Sequence, residues 1–340
     1  MNTVAYDLAN SVAGLLDTPW LQLLHPDINQ PLWSRAIKEQ LDRREYFELS
    51  ISPNGESIRC LFTRVKPSSE TLFSRWECVG EVQLDQVLNV ARTNLRFARI
   101  IDNFLHEDSN PNIQQFTQGE FAHFLNTVVL PHMEQRNSNS FKLLATDTPL
   151  GTRLLNTLHA RFYFARITLY WSETAAAFLE DQIEKNLYLT SVTLIGDWSN
   201  CNVSSLQNFA MRKRPVSNLY YLAIPRTGVQ LTVDFFRELR AYWEVNPKIN
   251  FWLILDETNV ALTNAEFQAL FSKKFRDAEL ICYGHHDRSE RSLLLYSRKK
   301  SSANISLGFI HCSCNDNSGF CWLPTTCHKA DLFNRKTNNN

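Results

Sequence analysis

Glycine is scarce, with ten residues in 340, and none stands in a phosphate loop, a dinucleotide fingerprint or a Gly-x-Ser-x-Gly elbow. The common cofactor enzymes are disfavoured, because their loops need glycine at fixed offsets where backbone must approach the ligand closely. No cofactor is expected. Charge of one sign is also missing, since 35 Lys and Arg balance 35 Asp and Glu. Neither nucleic acid nor an anionic membrane is therefore expected as a bulk electrostatic partner. No apolar run approaches the roughly eighteen residues of a membrane helix, and no basic region followed by an apolar core opens the chain. A soluble, intracellular protein, cytoplasmic or nuclear, is expected.

What is there is apolar and aromatic: 44% of residues are hydrophobic and 12% aromatic, ample for a real core. Between Phe162 and Cys282 short apolar runs alternate with helical patterns. The runs are Phe164 to Trp171, Val192 to Ile195, Leu219 to Ile224, Ile249 to Leu255 and Glu279 to Cys282. Their near-continuous apolarity suits strands of a parallel sheet covered on both faces. Between them Phe235, Phe236, Leu239, Tyr242 and Trp243 fall on one helical stripe, and Phe267, Leu270 and Phe271 repeat it. Ser204-x-x-Gln207, Thr263-x-x-Glu266 and Thr117-x-x-Glu120 read as capping boxes at helix starts.

Strand centres recur about every 25 to 32 residues, as expected for stacked strand–helix repeats. Leu189-x-x-Val192-x-Leu194 and Ile249-x-x-Trp252-x-Ile254 have leucine-rich-like character, without the Asn that normally follows. The same alternation reaches back to Leu95–Ile101 and Phe141–Ala145, giving roughly six or seven units closed by Ser292–Tyr296. The fold class is α/β, with four segments: a helical segment at 1–44, a β-hairpin region at 45–91, a parallel strand–helix repeat domain at 92–298 and a polar, Cys/His-containing tail at 299–340.

In the first segment, Leu8, Val12, Leu15 and Leu16 lie on one side of a short helix, and a second helix opens at Pro31 and carries Trp33. In the next, two alternating runs flank Pro53-Asn54-Gly55, with Phe73–Cys78 as a third strand.

Four groups of residues invite a chemical reading. Asp102, Asp147, Asp197, Asp256 and Glu257 follow expected strands, at the edge where parallel α/β folds gather catalytic carboxylates. The plainer reading is a cap or turn for each, since Asp satisfies orphan backbone N–H groups there. His311, Cys312, Cys314, Cys321, Cys327 and His328 crowd the tail. They could close a zinc site, but Cys-x-Cys spacing strains two thiolates on one ion, so no metal is assigned. Cys60, Cys78, Cys201 and Cys282 are scattered singly and read as small buried hydrophobes. His285-His286-Asp287 reads as an exposed turn, because strand neighbours point to opposite faces. Arg212-Lys213-Arg214 follows a helical stripe, where cations meet the negative end of the dipole.

The helical pair with Trp33, the hairpin about Asn54-Gly55 and Leu194-Ile-Gly-Asp-Trp198 ahead of a capped helix together resemble the divergent nematode F-box-like proteins with a leucine-rich-like repeat domain. The resemblance spans about residues 4 to 298. It implies a non-enzymatic substrate-recognition subunit of a cullin–RING ubiquitin ligase, with a Skp-type adaptor and an unidentified protein substrate as partners. Leu8, Val12, Leu15, Leu16 and Trp33 would then face the adaptor. Tyr6-Asp7 stands where an F-box usually opens with Leu-Pro. Two readings compete: a metal-assisted α/β hydrolase using Asp102, Asp197 and Asp256, or a repeat scaffold without ligase docking.

Overall fold

The structure, a computed structural model, describes residues 2–16, 24–25, 30–67, 76–90, 92, 94–102, 110–134, 139–212, 220–260, 266, 280–286, 289–298 and 304–311. The chain is mixed α/β and divides into two compact units, Met1–Leu189 and Thr190–Asn340.

The first unit opens with helices α1 (Asn2–Leu15) and α2 (Pro31–Arg43). Pro31 takes the first turn of α2, where a missing N–H costs nothing, and Arg43 stands in its last turn. Ala9 and Ala13 are buried on α1, and Ala36 and Ile37 on α2. Leu16, Leu24 and Leu41 close around Ala13 and Ile37. Polar bonds lace the same seam, from Tyr6 to Glu39 and from Gln40 Nε2 to Asn10 Oδ1. Arg44 donates to the carbonyls of Ala13 and Leu16, satisfying orphan acceptors at the end of α1.

Next come β1 (Glu45–Asn54) and β2 (Ser57–Pro67), an antiparallel hairpin. Gly55, the first of its two loop residues, has φ 58°, which glycine adopts without steric cost. β3 (Trp76–Val82) adds antiparallel to β2, and α3 (Leu84–Leu88) follows. β4 (Leu95–Asp102) lies parallel to β1, while β5 (Gln114–Thr117) caps the start of β2.

Thr117 and Glu120 form the expected capping box of α4 (Gln118–Phe124), which continues as a π-helical turn over Leu125–Val129. β6 (Ser140–Leu143), α5 (Pro149–Leu158), β7 (Arg166–Tyr170) and α6 (Glu173–Lys185) complete the unit. Its sheet runs β3-β2-β1-β4-β6-β7, antiparallel at one end and parallel at the other. Phe141 stacks on Phe164 at 5.0 Å and meets Phe178 of α6 edge-on.

The second unit contains β8 (Ser191–Ile195), α7 (Val203–Met211), β9 (Tyr220–Ala223), α8 (Val233–Val245) and β10 (Phe251–Asp256). β11 (Leu280–His286), β12 (Ser289–Arg298) and β13 (Asn304–His311) follow. β8, β9 and β10 are parallel neighbours in chain order. β13 then pairs antiparallel with β10, β12 with β13, and β11 with β12.

Several expectations change. The parallel strands are not uniformly apolar: Ile167 and Leu169, and Val192 and Leu194, are buried, while Arg166, Thr168, Ser191 and Thr193 between them are half-buried. Polar side chains inside each run give it a two-residue period, so one face is core and the other is not. Leu280–Cys282 of the run read at Glu279–Cys282 belong to an antiparallel hairpin rather than the parallel series, because only two residues separate β11 from β12 and a parallel return needs a dozen or more. Part of the stretch read as a polar tail is β13, whose Ile305, Leu307 and Phe309 alternate as buried residues.

The N-cap of α7 is Asn202, which accepts from the Ser204 N–H, so Ser204 lies inside the helix. Thr148, not Asp147, caps α5 with Pro149 behind it. Cys60 is buried, and burial pushes its thiol up, whereas Cys78 is exposed and Cys201 intermediate. Thr263 lies outside the described residues.

Candidate functional site

On the helical pair the five expected adaptor residues part company. α1 turns Ala9 and Ala13 inward, which leaves Leu8 63% exposed and Val12 half-buried. Leu16 goes to the seam with Ile37, and Trp33 is half-buried on α2. The Leu15 side chain lies outside the description. The apolar side of α1 is thus split: its small residues serve packing, and Leu8 is left facing out.

Three of the strand-end carboxylates accept backbone N–H groups through one oxygen. Asp102, at the end of β4, is buried and accepts the Ala145 N–H at 2.7 Å. Burial raises its pKa, and the Ala145 and Leu144 backbone bonds and the nearby Lys142 pull the other way. Asp197, after β8, accepts the Ser199 N–H at 3.0 Å, and its bonds from Ser199 hold its carboxyl below the usual range. A side chain on Gly228, whose φ is 71°, would stand 2.7 Å from the Asp197 Oδ1. Asp256 is buried at the end of β10, where Oδ1 accepts from the Thr258 N–H and hydroxyl and Oδ2 lies 3.7 Å from Arg226 Nε.

Asp147 is exposed in the loop before α5, beside an open hollow of about 570 Å³ lined by Asp147, Pro149, Thr152, Arg153, Asn156 and Thr157. Among the described residues no group of three or more His, Cys, Asp or Glu is placed to hold a metal ion. Cys312, Cys314, Cys321, Cys327 and His328 lie outside the described residues, as do the side chains of Glu257, His285 and His286. Arg212 takes the C-cap of α7. No helix among the described residues is long and apolar enough to cross a membrane.

The half-buried sheet faces hold residues that the sequence reading passed over. In the second unit Tyr221 and Trp252 are directly paired across β9 and β10, with Ser191 beside Tyr221 and Gly308 beside Trp252. In the first unit Glu48, Arg99, Ser140 and Arg166 stand in one cross-strand row, with Lys142 and Thr168 paired one step further along. Direct cross-strand partners share a face, and residues two apart on a strand share it too. Arg99 Nε meets Glu48 at 3.1 Å, and a guanidinium nitrogen of Arg99 donates to the Trp76 carbonyl at 2.7 Å. Burial, then the neighbouring Arg99, pushes Arg166 down to about 10, which leaves it charged at neutral pH.

Register assembles this row from strands far apart in the chain, so its only sequence signal is the polar beat inside each strand. No family model, curated protein or solved structure matches the chain, so these residues stand on their own geometry and chemistry.

Proposed function

We propose that the chain is a non-enzymatic protein-binding receptor, an F-box-like substrate-recognition subunit of a cullin–RING ubiquitin ligase. In this reading α1 and α2 dock a Skp-type adaptor, and the strand–helix portion receives a protein substrate. The observation that carries it is Leu8: a large apolar side chain left 63% exposed on a helix whose packing is done by Ala9 and Ala13. Leu187 and Val245 are exposed further still, so what singles out Leu8 is its place on the helical pair, where burying it on contact would gain roughly 1.5–3 kcal/mol.

The repeat character has support of its own. Within each unit the parallel strands are sheet neighbours in chain order, and helices with side-chain N-caps (α5, α6, α7 and α8) lie between or after them. Leucine-rich-like arrays have that plan, and their strand faces supply extended binding surfaces. Asp197 and Asp256 each hold the N–H two residues on, and Asp102 holds the Ala145 N–H from a distant part of the chain, which favours structural roles over the hydrolase reading.

The test is retention of purified Skp-type adaptor by the full-length protein and by Leu8→Glu, with circular dichroism to confirm that both are folded. Wild type should retain adaptor, and Leu8→Glu should lose at least about tenfold in affinity by burying a charge. Failure of wild type to bind, or equal binding by both, would overturn the adaptor assignment.

A further inference from the structure

We propose that Asn54 is a site of covalent self-modification, where the side-chain amide is lost as ammonia and a carboxylate takes its place. Asn54 is the one asparagine in the chain followed by glycine. It ends β1, and with Gly55 and Glu56 it makes the exposed tip of the first hairpin. Other asparagine amides are held more closely. Asn139, Asn186, Asn250 and Asn259 are buried, and Asn126 and Asn246 donate to carbonyls one helical turn back.

The chemistry needs no reagent but water. The Gly55 backbone nitrogen gives up its proton to solvent base and attacks Asn54 Cγ, closing a five-membered imide ring. The Cγ–Nδ2 bond breaks as Nδ2 takes up a proton and leaves as ammonia. Water then opens the ring at either carbonyl. One opening gives aspartate, and the other gives isoaspartate, whose main chain runs through Cβ and Cγ. Nothing is oxidised or reduced, and the balance is one water in and one ammonia out.

The tip favours the first step in three ways. Gly55 has no side chain to crowd its nitrogen, and nothing stands within 4 Å of where one would begin. The Ser57 hydroxyl donates to the Asn54 carbonyl at 2.8 Å. That bond stabilises charge on the Asn54–Gly55 amide and so eases loss of its proton. Asn54 and Ser57 are also the last pair of the β1–β2 register. Asn54 is extended, so its backbone must turn to bring the Gly55 nitrogen onto Cγ, and this turn opens one pair while the rest of the ladder holds.

The product changes the hairpin in charge and in length. A new carboxylate stands two residues from Glu56. Isoaspartate adds one atom to the main chain at the closing pair, beside Ser57, where β2 also begins its pairing with β5. This modification is independent of adaptor docking, so neither experiment bears on the other.

The test is incubation of the full-length protein at mildly alkaline pH, followed by tryptic digestion and mass spectrometry. The peptide Glu45–Arg59 should gain one mass unit, faster than the peptides carrying Asn126, Asn186 or Asn259. Part of the product should accept a methyl group from isoaspartyl methyltransferase. Ser57→Ala should slow conversion roughly two- to tenfold, the rate equivalent of one neutral hydrogen bond. It should leave the ratio of aspartate to isoaspartate unchanged, because that ratio is set later, when water opens the ring. A hydroxyl that only held the turn would, when removed, speed conversion instead. Gly55→Ala should slow conversion further, since a methyl then stands beside the attacking nitrogen.

A Glu45–Arg59 peptide that keeps its mass as long as the other three would overturn the site. Conversion as fast in Gly55→Ala as in wild type would overturn it too. Unchanged or faster conversion in Ser57→Ala would overturn the part assigned to the Ser57 hydroxyl.

Discussion

The two units place most of their buried side-chain amides at opposite ends of their strands. In the first, buried amides gather before the strands: Asn139 immediately precedes β6, and its side chain takes the Ala165 N–H at 2.6 Å and gives to the Tyr163 carbonyl. Gln182 and Asn186 do the same for the lead-in to β7, with Gln182 bonding both Phe162 O and Phe164 N. In the second unit the main tie comes after the strands. Asn259 accepts from the Asp256 N–H and donates to Thr227 Oγ1 and the Val229 carbonyl. Asn250, ahead of β10, is the exception, taking the His311 N–H.

The parallel strands are short, so chain running past the ladder carries backbone groups with no strand partner, and burial makes leaving them unpaired costly. A side-chain amide offers a donor and an acceptor at once, so one residue settles two groups. Where the amides lie tells where each unit's backbone leaves the ladder.

The largest effects should come from removing the amides. Gln182→Ala leaves two buried backbone groups unpaired and should cost about 3 kcal/mol, seen by hydrogen exchange as lost protection in residues 139–189. Asn259→Ala should cost a similar amount, with the loss confined to residues 220–260. Equal loss throughout the chain in both variants would break the comparison.

Next in size is Gly151→Ala. A methyl there would stand 2.1 Å from the Ala145 carbonyl oxygen, a backbone atom that cannot simply turn aside. About 2 kcal/mol of destabilisation is expected in urea titration, from the first unit alone.

Helix caps sharpen the contrast further. Ser172→Ala, which removes a 3.1 Å bond at the start of α6, should cost about 1 kcal/mol. Thr232→Ala at the start of α8 removes a 3.4 Å bond and should cost less. The reverse order would show that bond length does not rank these caps.

The smallest effects are opposite in sign. Asp102 has a raised folded pKa, so its contribution is complete below the ordinary carboxylate range and fades as pH rises through the folded value. Asp197 has a lowered one, so its contribution is present above that range and fades as pH falls. Between about pH 3 and pH 7, Tm should therefore shift in favour of Asp102→Asn and against Asp197→Asn as pH rises, each relative to wild type. Parallel slopes would refute the assigned causes.

Helices α1, α2, α4, α7 and α8 and most strand centres were legible in the sequence because their apolar periods or caps are strong, and the Thr117 box and Gly55 turn because their chemistry is local, whereas α3 and α6 were not singled out. Strand direction was not legible at β11, where the run Glu279–Cys282 looks like its predecessors and only the two-residue connection to β12 reverses it. β13 was hidden by its polar surroundings, although Ile305, Leu307 and Phe309 already alternate. The site residues fared similarly. Leu8 could be named from its stripe, but its separation from Ala9 and Ala13 follows from which side α2 occupies. Arg99, Lys142 and Arg166 come together through strand pairing, a long-range property that no local window contains.

β13, late in the chain, sits between β10 and β12. On a ribosome delivering residues from the N-terminus, β10 would therefore keep an unpaired edge until His311 has emerged, while the β11–β12 hairpin waits for the strand that joins it to the sheet. A stalled or truncated chain ending before Asn304 would expose that edge to any other nascent strand, and a chaperone that shields β10 would act in just this interval.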